Sequence, residues 1–211
     1  MQRSAINHII LQESEELLSQ LEIHDECSYI HSLQTTAYYI HFCEYLSLDH
    51  CLTEAAVQSV LFHDIGKLKI PSDLLQKTTS LTQHEWSQLQ EHPAFSLDIL
   101  QAHQNILIDP DIVLYHHKNI DQSGYPRSNK HINLGDAVRI LRIVDSFEAM
   151  TAERPYGHVF SRDEALSELK KYAGKYYDQR FIDAFCSFSK LFSLPQKKRS
   201  NDRRFDWYGL S

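Results

Sequence analysis

Residues 53–67 read TEAAVQSVLFHDIGK, an apolar stretch that runs directly into an adjacent histidine and aspartate. Thr53 is a residue type that caps helix N-termini, and the apolar residues behind it recur at helical spacing. His63 offers a neutral nitrogen ligand, and Asp64 offers a carboxylate whose two oxygens can bridge a pair of cations. Adjacent His-Asp pairs are common by chance, so this pair alone is only weak support for a metal site.

Helical patterning extends along most of the chain. Apolar residues at three- and four-residue spacing predict amphipathic helices over residues 6–21, 25–48, 137–150 and 178–192. Capping boxes formed by Thr82 with Glu85 and by Ser161 with Glu164 predict two further helix starts. No segment sustains alternation of apolar and polar residues, and no Asn-Gly or Asp-Gly dipeptide marks a hairpin. The predicted fold class is therefore all-α.

Proline and loop-forming residues interrupt this pattern. The dipeptide His92-Pro93 is predicted to break a helix, because proline lacks an N–H and restricts the residue before it, and helix is predicted to resume at Ala94. A helix starting at Asp111 is predicted to end at the pair His116-His117. Residues 118–133 have the composition of a loop.

Bulk composition excludes several classes of protein. The 211 residues, 42% of them hydrophobic, suffice for one folded domain, which we predict over residues 25–192, with an N-terminal helix (1–24) and a basic C-terminal tail (193–211). A formal net charge of -7 argues against binding of long nucleic acid, which requires a cationic surface. No apolar run approaches the roughly 20 residues of a membrane span, the N-terminal segment is acidic, and no cysteines are closely paired. We therefore expect a cytoplasmic protein.

Other histidines and one aspartate also stand where metal ligands could be. His92 is at a predicted helix break, and the pair His116-His117 is at another. Asp145 interrupts an apolar stripe, where a carboxylate costs several kcal/mol unless it is paired or metal-bound. His31 lies within an apolar helix and, taken alone, is typical of a half-buried core histidine.

Together these elements resemble the HD-GYP branch of the HD phosphohydrolase superfamily. The matching pattern, in chain order, is His31, HDIGK (63–67), IP (70–71), LT..EW (81–86), HP..S..IL (92–100), HH (116–117), D.SGYP (121–126) and RI..I.D.F.A.TA.RPY (139–156). The HH pair, the GYP loop and the downstream aspartate make the resemblance specific. It implies an HD-type helical bundle with a GYP loop.

The resemblance also implies a binuclear metal site. The implied ligands are His31, His63, Asp64, His92, His116, His117 and Asp145, with Asp64 bridging. The implied cofactors are two divalent ions, iron first and otherwise manganese or another divalent ion, because nitrogen and oxygen ligands do not select sharply among such metals.

The implied reaction is hydrolysis of cyclic di-GMP to pGpG. Whether pGpG is then hydrolysed to GMP is left open by the sequence. A metal-bridging hydroxide would attack the phosphate, so that Asp64 and Lys67 are the predicted catalytic residues. Lys67, Tyr125 and Arg154 are the predicted substrate contacts. The plain alternatives are that Tyr125 only packs the loop and that Arg154 only forms a surface ion pair.

Four positions depart from the family pattern. Cys27 stands where one subclass has a glutamate that helps hold a third metal, which favours a binuclear site and leaves Cys27 itself as an alternative ligand. Lys118 replaces the usual glutamate after the HH pair, and Gln122 replaces a glycine where a positive φ would be costly for any other residue. Gly157 replaces a frequent lysine. Substrate preference is therefore less fixed by the sequence than the metal site.

Two other functions compete with the active phosphodiesterase. One is a catalytically weak module that binds cyclic dinucleotides or a partner, which the altered GYP loop favours. The other is a hydrolase of another cyclic nucleotide, such as cyclic GMP-AMP. The complete ligand set favours an enzyme. Because the segment before His31 is too short for a sensory domain, regulation is expected from a signalling protein partner.

Overall fold

The computed structural model describes residues 12–103, 105–152, 159–192 and 194. Its α-helices are α1 (Gln12–His24), α2 (Glu26–Leu46), α3 (Glu54–Leu61), α4 (Ser72–Leu75), α5 (Gln83–Leu89), α6 (His92–Gln101), α7 (Pro110–Tyr115), α8 (Asp136–Thr151), α9 (Arg162–Lys171) and α10 (Gln179–Leu191). Two 3-10 helices, Asp49–Cys51 and Ile65–Lys69, flank α3. Within the described residues there are no β-strands, only two isolated bridges, so the all-α prediction is confirmed. None of the described helices combines the length and apolar character needed to cross a bilayer.

The predicted capping residues start the helices where the sequence placed them. Thr53 accepts a hydrogen bond from Ala56 N at 3.2 Å and so caps α3. The predicted capping boxes at the starts of α5 and α9 are both formed, each with reciprocal side chain–backbone hydrogen bonds. These caps satisfy N–H groups that would otherwise lack partners in the first turn of a helix.

The predicted helix break at His92-Pro93 was wrong in position. Helix α5 ends at Leu89 and α6 begins at His92, so Pro93 lies in the first turn of α6. There the missing N–H of proline costs no hydrogen bond, and its fixed φ suits a helix start. His92 therefore opens a helix instead of standing in a break between two helices.

Two apolar clusters hold the helices together. The larger one packs α2, α8 and α10 around Phe42, Phe147 and Phe185, and the smaller one joins α1 and α6 to α2 through residues such as Leu21 and Leu33. Helices α2, α3 and α7 contribute side chains to both clusters. Helix α1 thus shares a core with the rest of the chain, and the predicted division into residues 1–24, 25–192 and 193–211 stays a prediction.

A glycine lets the 3-10 helix Ile65–Lys69 pack closely on α6. Gly66 N donates a 2.8 Å hydrogen bond to Ser96 Oγ, which in turn donates to His63 O at 2.8 Å. A Cβ atom on Gly66 would lie 2.1 Å from His92 O, far closer than van der Waals contact. Any larger residue would push the segment that carries His63 away from the helix that carries His92.

Candidate metal centre

The seven predicted ligands come from five parts of the fold and meet at one place. They are His31 on α2, His63 and Asp64 after α3, His92 at the start of α6, His116 and His117 after α7, and Asp145 on α8. Their donor atoms form two groups, and within each group all donors lie within 4.8 Å of one another. One group contains Asp64, His92, His116 and His117, and the other contains His31, His63 and Asp145. The two groups match the number of ions expected from the sequence.

Three of the histidines are held in the same tautomer by the same kind of backbone contact. The Nδ1 atoms of His63, His92 and His116 each donate to the carbonyl oxygen three residues earlier, at 2.7 Å. Because a carbonyl can only accept, Nδ1 carries the proton and Nε2 presents a lone pair to the centre. The Nε2 atoms of His92 and His116 lie 3.2 Å apart, so two lone pairs face each other.

The carboxylate of Asp64 stands between the two donor groups. Its Oδ1 lies 3.0 Å from His92 Nε2 and 3.8 Å from His116 Nε2. Its Oδ2 lies 3.6 Å from His31 Nε2 and 3.5 Å from His63 Nε2. Each oxygen therefore faces a different pair of histidines, which is the arrangement expected of a bridging carboxylate.

Unsatisfied polar atoms indicate that this centre suits cations. Among the described residues, His63 Nε2 and Asp64 Oδ1 are buried without any hydrogen-bond partner. Burying such acceptors without a partner costs roughly 1–3 kcal/mol each. A cation between the lone pairs removes this cost, and a set of imidazole nitrogens and carboxylate oxygens fits divalent transition metals.

Three of the histidines and Asp64 have the protonation states that metal ions require. Burial lowers the pKa of His63 and, together with neighbouring histidines, holds the pKa of His116 and His117 well below the usual value. Burial alone would raise the pKa of Asp64, but the Lys67 ammonium and nearby histidines hold it well below its usual range. Neutral imidazoles and an ionised carboxylate are the forms that bind metal.

Glu148 is a further member of the centre that the sequence reasoning missed. It is 2% exposed, and its Oε2 accepts a hydrogen bond from Nδ1 of His31. Burial lowers the pKa of His31, but the carboxylates of Glu148 and Asp145 outweigh burial and raise it to about 10. At this pKa both ring nitrogens of His31 carry a proton, and a cation at Nε2 would have to displace the proton there. Glu148 follows Asp145 by three residues on the same apolar stripe, so the argument applied to Asp145 could have found it.

A cavity of about 600 Å³ opens onto the centre. Among the residues that line it are Lys67, Trp86 and Tyr125. The Tyr125 ring lies over His117, with centroids 4.5 Å apart, and meets Trp86 edge-on at 6.4 Å. Cys27 also lines the cavity but belongs to neither donor group. The other predicted substrate contact, Arg154, lies outside the described residues.

The GYP loop is tied to the histidine pair by its backbone. Gly124 has a φ of 82°, and a Cβ there would lie 2.2 Å from His117 O, so only glycine permits this approach. Gln122 has a φ of 68°, which confirms the expectation of a positive φ at that position. Its side chain exchanges two hydrogen bonds with the backbone of Ile132, at 2.8 and 3.2 Å. These bonds offset the strain that glycine would avoid, and they brace the loop carrying Tyr125.

Comparison with known proteins identifies the family. The model of the HD domain family matches residues 7–181. A cyclic di-GMP phosphodiesterase of Pseudomonas aeruginosa is 30% identical over 85% of this chain and 44% of its own length. A 3'3'-cGAMP-specific phosphodiesterase of Vibrio cholerae is 28% identical over 67% of this chain and 28% of its own length. The chain thus spans less than half the length of these curated relatives.

A solved structure shares the fold. The crystal structure of the HD domain of the phosphodiesterase PgpH from L. monocytogenes superposes with a TM-score of 0.58, covering 82% of this chain and 97% of that domain. Sequence identity in this comparison is 16%, so the likeness concerns the fold alone.

Proposed function

This chain belongs to the HD domain family, in its HD-GYP branch, and we propose that it is a metal-dependent phosphodiesterase that hydrolyses cyclic di-GMP to pGpG. The observation that carries the proposal is the position of Asp64, with one carboxylate oxygen facing each of two histidine pairs. In this proposal the seven residues described above are the metal ligands. The names of the relatives support a cyclic dinucleotide as substrate.

The proposed cofactors are two divalent ions, iron or otherwise manganese. When bound, paired divalent cations generate a nucleophile from water at neutral pH and neutralise charge on the phosphate oxygens. The donor set contains no thiolate, which is consistent with either metal and does not choose between them.

The residues around the ligands act on the substrate in this proposal. Lys67 Nζ lies beside the centre and supplies a positive charge to the phosphate oxygens as negative charge develops on them. Burial raises the pKa of the Tyr125 phenol, so it stays a neutral donor and an aromatic surface for a base. Tyr125 and Trp86 together form one aromatic side of the cavity. Arg154 is retained as a proposed substrate contact on the resemblance alone.

A second candidate substrate is cyclic GMP-AMP, because relatives named 3'3'-cGAMP-specific phosphodiesterases match the chain. The GYP loop places Tyr125 in the cavity wall, so we propose that this loop contributes to the choice between the two substrates; Lys118 and Gln122 depart from the family pattern beside it. We also keep the weak binding module as an alternative. It differs from the enzyme by having no metal-dependent turnover.

We further propose that the protein acts in the cytoplasm and receives its regulation from a signalling protein partner. In the described part of the chain Cys43, Cys51 and Cys186 are free thiols, which suits a reducing compartment.

The test is anaerobic purification followed by assays on cyclic di-GMP, 3'3'-cyclic GMP-AMP and cyclic di-AMP, with and without a chelator. We expect chelator-sensitive hydrolysis of cyclic di-GMP, and loss of turnover in Asp64→Ala. The matched control is His41→Ala, which removes a more exposed histidine that pairs with Glu44 away from the centre. Binding without turnover on any of the three would favour the binding module, and full turnover by Asp64→Ala would show that the site is assigned wrongly.

A further inference from the structure

Arg142 is a cation in the cavity wall to which neither the ligand set nor the family pattern gives a role. It stands three residues before Asp145 on α8, so the two side chains lie on the same face of the helix. Arg142 lines the cavity, together with Lys67, Tyr125 and Ser146. Its position is one that the pattern RI..I.D leaves unspecified.

Neutral groups hold the guanidinium of Arg142 in place. Its Nε donates to Asn119 Oδ1 at 3.0 Å, and one terminal nitrogen donates to Ser146 Oγ. Its Cζ lies 5.2 Å from the ring centroid of Tyr177. A guanidinium has five N–H donors, so these two hydrogen bonds leave three available.

The charge of Arg142 has no acidic partner in the described parts of the chain. No carboxylate there lies within 4 Å of its guanidinium. The cations nearby are different, because Lys67 pairs with Asp64 at 2.6 Å and Arg139 pairs with Asp178 at 2.7 Å. An oriented, half-buried and uncompensated arginine in a cavity wall is suited to bind an anion.

We propose that Arg142 binds the second phosphate of a cyclic dinucleotide, the one that the metal centre does not cleave. The inference rests on the function proposed above, since a cyclic dinucleotide carries two phosphodiesters and the centre acts on one of them. Lys67 lies three residues after Asp64, in the 3-10 helix Ile65–Lys69. Arg142 lies three residues before Asp145, on α8. Each carboxylate thus has one cation near it in sequence, and the two cations come from different helices. In this proposal Lys67 contacts the reacting phosphate, and Arg142 contacts the other phosphate. Arg142 is thereby a specificity residue for substrates with two phosphates.

The test compares two substrates that differ in the number of phosphates. Arg142→Gln is assayed on cyclic di-GMP and on bis(p-nitrophenyl) phosphate, a diester with a single phosphate. We expect kcat/KM to fall at least tenfold on cyclic di-GMP and to change less than twofold on the single diester. Arg142→Lys keeps the positive charge but not the fork-shaped set of N–H donors, so its kcat/KM on cyclic di-GMP should fall less than that of Arg142→Gln. Lys69→Gln, which removes a charge outside the cavity lining, should leave both rates unchanged.

Binding measurements separate failure of this inference from failure of the proposed function. Equilibrium dialysis in the presence of a chelator, which stops turnover, gives the Kd of cyclic di-GMP for the parent, for Arg142→Gln and for Arg142→Lys. If the parent binds but does not cleave, hydrolysis is wrong as the function, while a tenfold rise in Kd for Arg142→Gln still supports the role of Arg142.

Three results would overturn the role of Arg142. The first is an equal loss of kcat/KM on both substrates, in both Arg142→Gln and Arg142→Lys. The second is a Kd and a rate on cyclic di-GMP that are the same in Arg142→Gln as in the parent. The third is a parent that neither binds nor cleaves a cyclic dinucleotide, in which case the proposed function falls as well.

Discussion

Lys67 Nζ lies 2.6 Å from Asp64 Oδ2, so the proposed bridging carboxylate has an ammonium beside it at the edge of the cavity. The Lys67 side chain is 19% exposed, whereas that of Asp64 is 2% exposed. The lysine therefore reaches from solvent to the buried centre and contributes nothing to the apolar clusters. This geometry keeps Lys67 out of the core and supports its proposed role as a substrate contact.

Replacing Lys67 is expected to slow catalysis without unfolding the protein. Lys67→Ala should lower kcat/KM by roughly 10²–10³, the cost typical of removing one group that stabilises developing charge. Metal content and the thermal midpoint should hardly move. Lys77→Ala is the control, since Lys77 also lines the cavity but pairs with Glu85 at 2.6 Å. A metal-free or strongly destabilised Lys67→Ala protein would make Lys67 a structural residue.

Glu148 is expected to control metal affinity through His31. Carboxylates that orient a ligating histidine typically contribute 10- to 100-fold in metal affinity, so Glu148→Ala should weaken binding of one ion by about that factor. Competition with a chelator of known affinity measures the change. Glu44→Ala removes the same kind of histidine–carboxylate contact, here with His41 at 3.1 Å on the surface, and should have no effect. Equal metal affinity in the parent and in Glu148→Ala would show that Glu148 does not contribute to metal binding.

Gly66 is expected to be intolerant of any side chain. Gly66→Ala would place a methyl group 2.1 Å from the backbone oxygen of His92, and relief requires movement of α6 or of the segment after α3. We expect a loss of about 3 kcal/mol or more in the free energy of unfolding, measured by denaturant titration. Gly135→Ala, where no atom lies within 4 Å of the added methyl, should cost below about 1 kcal/mol. Similar losses for the two variants would contradict the packing described here.

Asp178 is expected to make stability depend on acid pH. Hydrogen bonds from Arg180 and Arg139 lower its pKa from 3.8 to about 2, although burial opposes this. A carboxylate whose pKa is lower in the folded state stabilises the protein above its unfolded pKa, and this contribution is lost as pH falls. The contribution is present above about pH 4 and disappears towards pH 2, and because solvent screens the exposed Arg180 its size is on the order of 1 kcal/mol.

The variant Asp178→Asn tests this pH dependence, because asparagine also caps helices but carries no charge. Its free energy of unfolding should be lower than that of the parent at pH 7, and the difference should shrink between pH 4 and pH 2. Asp183→Asn, at an exposed position of the same helix, should show no such difference. A difference that stays constant down to pH 2 would show that the ion pairs do not set the pKa.

The sequence predicted the helices because capping and apolar spacing follow local rules, whereas the proposed ligand set came from the resemblance to the HD-GYP family. Capping boxes fixed the starts of α5 and α9, and Asp145 stood out because a carboxylate rarely interrupts an apolar stripe. His92 was misplaced because a proline in the first turn of a helix and a proline in a helix break look alike in sequence. The same local signal marks Glu148, which interrupts the same apolar stripe three residues after Asp145.

Other features depend on contacts that the sequence does not contain. The need for glycine at position 66 arises from the carbonyl of His92, which only the folded chain brings near. Arg142 occupies a polar position on an amphipathic helix, and periodicity does not tell which polar positions border a cavity and which border solvent. Its neutral partners, Asn119 and Ser146, become visible only when α8 packs beside the GYP loop.

The number of metal ions per chain is the most direct test of a binuclear centre. Protein expressed with iron or manganese and purified without oxygen or chelators is analysed for metal per chain by inductively coupled plasma mass spectrometry. We predict close to two ions per chain in the parent, since the donors form two groups joined by Asp64, and close to none in Asp64→Ala. A parent with no ion, one ion or three ions per chain, or an Asp64→Ala variant that keeps both, would contradict it.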